Sequence, residues 1–231
     1  MHYFALLLGP ASTDEPDAAT QAEIMAAYMD FHAKFGSAIR AGDALAGAEA
    51  RITGGPDAPS VTDGPFAEAA EVAGGYYVIE AEDLDAALTV AAAIPACRDG
   101  AVELWPMVGW EAPTQTVGSD WFALLLEPPG HECTPDTAEW ESGECAHAEF
   151  GRTAGDHILA GAPLYPPSTA TTVQMRGGET MLTDGPFAEG AEVASGFYLL
   201  RAQDRDEVVK IASMIPATTV EVHRLAGVSG L

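Results

Sequence analysis

The feature that most constrains this chain of 231 residues is a long internal repeat. The block TDGPFAEAAEVAGGYYVIEA begins at Thr62, and a near copy, TDGPFAEGAEVASGFYLLRA, begins at Thr183. Shorter pairs flank it in the same order, among them YFALLLGP at Tyr3 and WFALLLEP at Trp121. A period of about 120 residues is too long for a solenoid and is close to the size of one small domain. The sequence therefore predicts two copies of one module.

The repeat also predicts the division of the chain. Module 1 is expected over residues 1–110 and module 2 over residues 120–231. The segment between them, 111–119, reads EAPTQTVGS and is rich in Pro, Gly, Ser and Thr, which is typical of a linker.

Residue periodicity predicts the elements of one module. In module 1 it predicts strands over 2–8, 44–53, 75–81 and 101–108, and helices over 18–41 and 83–94. The order βαββαβ is that of a ferredoxin-like fold. Because one such sheet leaves edges and a face uncovered, we expect the two modules to pair as an intramolecular dimeric α+β barrel, a pseudo-dimer within one chain. The fold class is α+β, and the sequence leaves open whether two chains associate further as a homodimer.

Charge and composition exclude several classes of partner. The net charge is −25, from 35 acidic and 10 basic residues, which disfavours binding to nucleic acid or to an anionic membrane. Apolar runs such as FALLL are far too short to span a bilayer, and the start MHYFALLLGP lacks the features of a signal peptide. Three cysteines are an odd number and fit a reducing compartment. We therefore expect a cytoplasmic protein.

The repeated motifs resemble a known family. TDGPFAE, followed in module 1 by GGYYVIEAEDLDAAL, AAAIP and VELWP, is similar to the YCII-related family, also called the DGPF domain, over nearly the whole of both modules. The resemblance implies a dimeric α+β barrel of ferredoxin-like units. In that family a His on the first helix and the Asp of DGPF are the proposed active-site pair. Its members include an enzyme that dehalogenates chlorinated muconolactones.

Carried over by motif, the catalytic pairs are His32 with Asp63 and His147 with Asp184. An imidazole held by a carboxylate can act as a general base near neutral pH, removing a proton from carbon beside a carbonyl. The resemblance thus implies a cofactor-free isomerase, lyase or dehalogenase acting on a small carbonyl-containing or aromatic molecule. Three readings stay open at this point: such an enzyme, a non-catalytic ligand-binding or accessory protein, and a scaffold whose acidic surface binds a basic partner. The alternative to catalysis by these pairs is a structural role, in which each His is a hydrogen-bonded core residue and each Asp only forms a turn.

Further residues are expected to line the ligand site of each module. They are aromatic, acidic or imidazole side chains near the pairs: Tyr28, Glu68, Tyr77, Trp105, Trp140, Glu189, Tyr198 and His223. Trp105 and His223 stand where the last strand of family members usually carries an Arg. Either the two sites favour a neutral, aromatic or flat ligand, or the sites are not equivalent. Arg224 is displaced by one residue and should face the other side of its strand.

One metal-like pattern occurs in module 2 alone. His131-Glu-Cys133 and Cys145-Ala-His147 supply the ligand types of a zinc site. However, residues i and i+2 on a helix point apart, which separates Cys145 from His147. No metal and no cofactor are therefore predicted.

Overall fold

The computed structural model describes residues 1–10, 17–64, 66, 71–113, 120–131, 133–187 and 192–228. Their helices and strands follow one order in both halves. In the first half they are β1 (His2–Pro10), α1 (Ala18–Phe35), β2 (Ile39–Ala44), β3 (Ala50–Thr53), β4 (Ser60–Asp63), β5 (Glu71–Glu80), α2 (Leu84–Ala91) and β6 (Ala101–Pro106). In the second they are β7 (Trp121–Glu127), α3 (Ala138–Ala154), β8 (Ile158–Pro163), β9 (Thr171–Arg176), β10 (Glu179–Asp184), β11 (Val193–Leu200), α4 (Arg205–Ala212) and β12 (Thr219–Arg224).

These elements form two six-stranded antiparallel sheets, which confirms the predicted α+β class. The first sheet has the order β10-β9-β6-β1-β5-β2 and the second β4-β3-β12-β7-β11-β8. In each sheet the four strands nearest one end, β6-β1-β5-β2 or β12-β7-β11-β8, have the ferredoxin-like order. The other two strands of each sheet come from the opposite half of the chain, so the halves exchange a β-hairpin.

The exchanged hairpins join the halves by backbone hydrogen bonds and by one cluster of charges. Hairpin β3–β4 extends the second sheet through β12, and hairpin β9–β10 extends the first through β6. Arg51 on β3 forms ion pairs with Glu192 and, at 2.8 Å, with Glu221 of the second half. Ile52 is 3% exposed and packs into the core beneath α4. Neither half therefore completes its sheet or its core without the other.

The sheets pack face to face because their strands alternate apolar residues on both sides. On β1, Phe4 and Leu6 face the opposite sheet, whereas Ala5 and Leu7 face the helices. Between the sheets, stacked rings from both halves form the centre of the core. Their closest centroid separations are 4.7 Å for Phe4–Phe197 and 4.8 Å for Tyr76–Phe122.

The result is a four-layer α/β/β/α arrangement with the helices outside. Helices α1 and α2 cover the first sheet, and α3 and α4 cover the second. Isolated bridges, Leu45–Leu225 and Met107–Leu164, link the two sheets at their edges. Within the described ranges the sheets remain two separate ladders rather than one continuously bonded barrel. In the same ranges no helix is both long and apolar enough to cross a membrane.

Two element boundaries predicted from the sequence are wrong. The helix expected over 18–41 ends at Phe35, where Gly36–Ala38 forms a 3₁₀ turn. The strand expected over 44–53 is not continuous: Ala44 ends β2, residues 45–49 connect the strands, and β3 begins at Ala50 in the other sheet. The pairing of β2 with β5 requires glycine at position 42, because a Cβ atom there would lie 2.2 Å from the Tyr77 ring and 2.9 Å from the Tyr76 carbonyl oxygen.

Candidate functional site

Each module places its helix histidine against a tyrosine of the sheet. His32 Nε2 lies 2.7 Å from the Tyr77 hydroxyl, and His147 Nδ1 lies 2.9 Å from the Tyr198 hydroxyl. Both distances are those of hydrogen bonds. Both histidines are half-buried, so they point toward the sheet as the apolar stripe of each helix predicts. The sequence motif thus leads to a His–Tyr pair in each half.

The edge strands show which residues of the two modules are equivalent. Gly42 on β2 faces Tyr77, and Gly161 on β8 faces Tyr198, so equivalent residues differ by 161 − 42 = 119. The ends of α1 and α3 differ by the same number, 154 − 35 = 119. The first helix and the strand after it therefore match between the modules without a gap.

On this basis His32 and His147 are not equivalent in space. The motifs HAKFG and HAEFG align them at a difference of 147 − 32 = 115, four residues short of the structural difference. His147 therefore takes the position of Tyr28, and His32 lies one helical turn further along its helix. Ring contacts agree, because Phe31 on Tyr77 (5.4 Å) and Phe150 on Tyr198 (5.1 Å) are again 119 apart.

A cavity of about 840 Å³ surrounds His147. Helix α3 lines one side with Trp140, Glu144 and His147, and strand β11 lines another with Phe197 and Tyr198. The ends of β7 and β8 and the loop after β8 complete the wall. Such a volume is within the range of sites for small molecules.

At two positions that line the cavity, module 2 has smaller side chains than module 1. Gly143 lies where module 1 has Ile24, and His147 lies where module 1 has the larger Tyr28. In module 1, Tyr28 packs into the core between α1 and the first sheet, beside buried Cys97. Apart from its chain neighbours and the adjacent backbone of α3, no atom of the described residues lies within 4 Å of the position that a Cβ on Gly143 would take.

Burial sets the protonation of the His147–Tyr198 pair. Burial lowers the pKa of His147, and the negative charge of Glu127 partly opposes this. Burial raises the pKa of Tyr198 to about 12. Near neutral pH the imidazole and the phenol are therefore both uncharged. Since Nδ1 bonds to Tyr198, and Nε2 has no hydrogen-bond partner among the described residues, Nε2 is available to a ligand.

The aspartates of the two DGPF motifs, Asp63 and Asp184, lie on the exchanged hairpins and are not hydrogen-bonded to the helix histidines among the described residues. Asp63 ends β4 at the edge of the second sheet, where it is exposed and paired with Arg205. Asp184 ends β10 at the edge of the first sheet and is also exposed. Among the described residues, the partner of each helix histidine is a tyrosine and not either aspartate. A catalytic role for Asp63 and Asp184 stays a prediction.

The second DGPF turn has a clear structural role. The N–H of Phe187 donates to Glu103 Oε1 at 2.8 Å, and the hydroxyl of Thr172 donates to the carbonyl of Gly185 at 2.8 Å. Gly185 has φ of 87°, which favours glycine. The turn is thereby held against β6 of the opposite half.

The other predicted ligand-binding residues divide into four pairs. Trp140 and Tyr198 line the cavity, and Tyr28 and Tyr77 lie near His32 in module 1. Trp105 and His223 lie between the sheets at 0% and 2% exposed. The Trp105 indole donates to Glu103 at 3.2 Å, and His223 Nδ1 lies 3.0 Å from the carbonyl of Ala46. Glu68 and Glu189 lie outside the described residues.

Arg224 lies on the opposite side of β12 from His223, as its position in the strand predicts. Its guanidinium carbon is 4.9 Å from the centre of the Trp121 ring, which belongs to the core under the helices. The strand therefore turns this cation away from the space between the sheets.

Sequence reasoning missed Glu127, Glu139, Glu144 and Tyr165, which also line the cavity. The carboxylate of Glu127 accepts hydrogen bonds from the N–H of Thr218, at 2.9 Å, and from its hydroxyl. A signal was present in the repeat itself, because WFALLLEP has Glu127 where YFALLLGP has Gly9. A charged residue in place of glycine, at the end of an otherwise similar strand, indicates that the two copies differ in charge at this place.

The metal-like pattern of module 2 is only partly brought together. His131, Cys133 and His147 line the cavity, whereas Cys145 is exposed and does not. In the described part of the chain, no group of three or more His, Cys, Asp or Glu side chains could hold a metal ion.

Comparison with known proteins decides the family. The family model of the YCII-related domain matches residues 3–111 and 141–225. The chain belongs to the YCII-related domain family. It is also similar to an uncharacterized protein of Rhizobium meliloti (strain 1021), with 43% identity over 83 residues. That alignment covers 33% of this chain and 67% of the relative. The YCII-related chain thus contains two family-like halves, as its repeat predicts.

Proposed function

We propose that this YCII-related protein binds a small aromatic or carbonyl-containing molecule in the cavity of module 2, and that His147 transfers a proton on it without a cofactor. The observation that carries the proposal is the hydrogen bond between His147 and Tyr198 in the wall of that cavity. It fixes the imidazole through Nδ1 and leaves Nε2 toward a ligand. A lowered pKa keeps the imidazole in its basic form near neutral pH.

The proton transfer has two steps. The lone pair of Nε2 takes a proton from carbon beside a carbonyl, the C–H electron pair forms an enolate, and the imidazole becomes imidazolium. The proposal requires the tautomer in which the proton of the neutral imidazole is on Nδ1. In that tautomer Nδ1–H donates to the Tyr198 oxygen before and after the transfer, so the ring need not turn. Return of the proton to another carbon gives an isomer, and loss of a leaving group from the enolate gives an elimination product.

The alternative is a protein that binds its ligand without catalysis. Glu127, Glu139 and Glu144 favour this alternative, because their negative charges oppose the formation of an enolate nearby. Both functions use the same cavity.

Deuterium incorporation separates the two functions without knowledge of the natural substrate. The protein would be incubated in D₂O with a panel of lactones, cyclic ketones and enones, and the panel would be analysed by mass spectrometry. We expect one or more compounds to gain deuterium with the wild type. A His147→Ala variant should lose this activity at least about a hundredfold, the usual size of general-base catalysis.

His32→Ala is the matched control, because His32 makes the corresponding bond to Tyr77 in module 1. It should retain the exchange activity. Equal loss in both variants would place the activity outside the cavity of module 2. Compounds that bind but gain no deuterium would support the non-catalytic function.

A further inference from the structure

We infer that the ligand of this cavity carries a protonated amine on a flat apolar body. The inference rests on the proposed function, because it concerns the same cavity in module 2. It adds the charge and chemical class of the molecule that binds there.

The apolar and aromatic part of the cavity favours a flat body. Trp140, Tyr165, Phe197 and Tyr198 contribute rings, and proline and glycine residues of the surrounding loops contribute most of the remaining surface. Aromatic faces attract both flat apolar groups and cations.

The charged groups of the cavity all have one sign. Glu127, Glu139 and Glu144 line it, whereas no Lys or Arg does so among the described residues. Glu139 and Glu144 are exposed at the rim of the cavity, and in the same part of the chain neither carboxylate has a hydrogen-bond or ion-pair partner. An ammonium group would therefore gain two unpaired carboxylates, whereas a carboxylate ligand would be repelled by them.

The neighbouring Cys133 thiol lies within the field of two of these carboxylates. Burial, together with the charges of Glu139 and Glu127, raises the pKa of the Cys133 thiol. Cys133 lines the same cavity. The same two negative charges would act on an ammonium group bound in the cavity.

The acidic wall is particular to module 2. At the equivalent positions, module 1 has Gly9 for Glu127, Thr20 for Glu139 and Met25 for Glu144. The general acidity of the chain, at −25, does not account for this difference between the copies.

Three ring compounds that differ only in charge test the inference. They are 2-naphthylmethylamine, 2-methylnaphthalene and 2-naphthoate, titrated into the full-length protein by isothermal calorimetry at low and high salt. We expect the amine to bind most tightly and the naphthoate most weakly. Raising the salt from about 20 mM to about 500 mM should weaken the binding of the amine but not that of methylnaphthalene.

A double variant, Glu139→Gln with Glu144→Gln, should weaken binding of the amine by about fivefold and leave methylnaphthalene unchanged. The matched control is Glu23→Gln with Asp30→Asn, which removes two exposed carboxylates from α1. The control should bind the amine as the wild type does, because Glu23 and Asp30 do not line the cavity. It loses the same overall charge as the cavity variant, so the comparison separates local charge from net charge.

The outcomes distinguish the charge preference from the cavity itself. Methylnaphthalene binding as tightly as the amine, or equal effects of the two double variants, would overturn the amine inference and leave the cavity as a ligand site. Failure of all three compounds to bind would overturn the inference and also contradict the proposed function. Tight binding of the naphthoate would show that an anion is the preferred ligand.

Discussion

The first helix and its following strand fold alike in the two modules, but they pack differently against the sheet. In module 1, Tyr28 fills the space under α1, and His32 reaches Tyr77 from one turn further along. In module 2, His147 takes the position of Tyr28, and a cavity lies beside it. The two copies thus share one fold, but a shift of one helical turn places their histidines at different positions against the sheet. Copies of one module need not be copies of one site.

A second difference lies on the edge strands. Asp43 on β2 is 7% exposed, and its carboxylate accepts hydrogen bonds from the N–H groups of Gly227 and Val228 at 3.0 and 3.1 Å. The equivalent residue on β8 is Ala162, which lines the cavity. In module 1 the residue at this position therefore binds the segment after β12, whereas in module 2 the equivalent residue forms part of the cavity wall.

The largest effect is expected where the two copies depend on each other. Ile52→Ala should destabilise the whole protein by about 3 kcal/mol, because it opens a hole in the core of the opposite half. Urea unfolding followed by fluorescence and circular dichroism would measure this change. Val61→Ala is the control on the paired strand, where Val61 is 44% exposed, and it should change stability by less than about 0.5 kcal/mol.

The same experiment tests whether the halves unfold together. A single transition that shifts as one unit with Ile52→Ala would support mutual dependence through the exchanged hairpins. Two transitions, only one of which shifts, would contradict it.

A smaller loss is expected from the edge strand of module 1. Asp43→Ala should cost about 2 kcal/mol, since it removes the buried carboxylate that accepts these two backbone N–H groups, and hydrogen bonds to a charged group are stronger than neutral ones. Hydrogen exchange should accelerate at the amides of Gly227 and Val228. Asp43→Asn retains one acceptor oxygen and should lose less. Unchanged exchange at these two amides in the alanine variant would show that Asp43 does not hold this segment.

Making module 2 more like module 1 should have a moderate, stabilising effect. Gly143→Ala should raise stability by about 0.5–1 kcal/mol through helix propensity, since the new methyl group meets open space. Gly151→Ala, also in α3 with open space at its Cβ, should stabilise equally. Only Gly143 lines the cavity, so only its variant should weaken ligand binding in the calorimetric titrations. Equal binding by both variants would place the ligand away from this face of α3.

The smallest effect concerns pH. Burial holds the pKa of His147 below 6.5, its usual value, so the unfolded chain takes up a proton that the folded protein resists. Above pH 6.5 this group does not affect stability, and below it stability should fall as the pH falls toward the lowered pKa. Thermal unfolding between pH 8 and pH 5 should therefore show a steeper loss in the wild type than in His147→Gln. Parallel curves would mean that folding leaves the proton affinity of His147 unchanged.

Much of the fold could be predicted from local patterns, but the site could be predicted only in part. The uninterrupted apolar runs YFALLL and WFALLL predict buried strands, and the structure places both in the interior of their sheets. The stretch AGDALAGAEA, in contrast, has weak preferences, and its division between two sheets depends on hairpin exchange. The helix positions of His32 and His147 predict that both point inward, but not that a tyrosine receives each of them.

By itself, the sequence determined that the chain has two YCII-related halves, and that each half has a ferredoxin-like order of helices and strands. These properties follow from repeated motifs and from residue periodicity, which act over short distances along the chain. Tertiary structure decided which half each hairpin completes, and it brought Glu127, Glu144 and His147 around one cavity. It also decided that equivalent positions lie 119 residues apart in the first helix, although the histidine motifs lie 115 apart. The physical reason is that packing between distant segments depends on side-chain volume and helix length, which no local motif records.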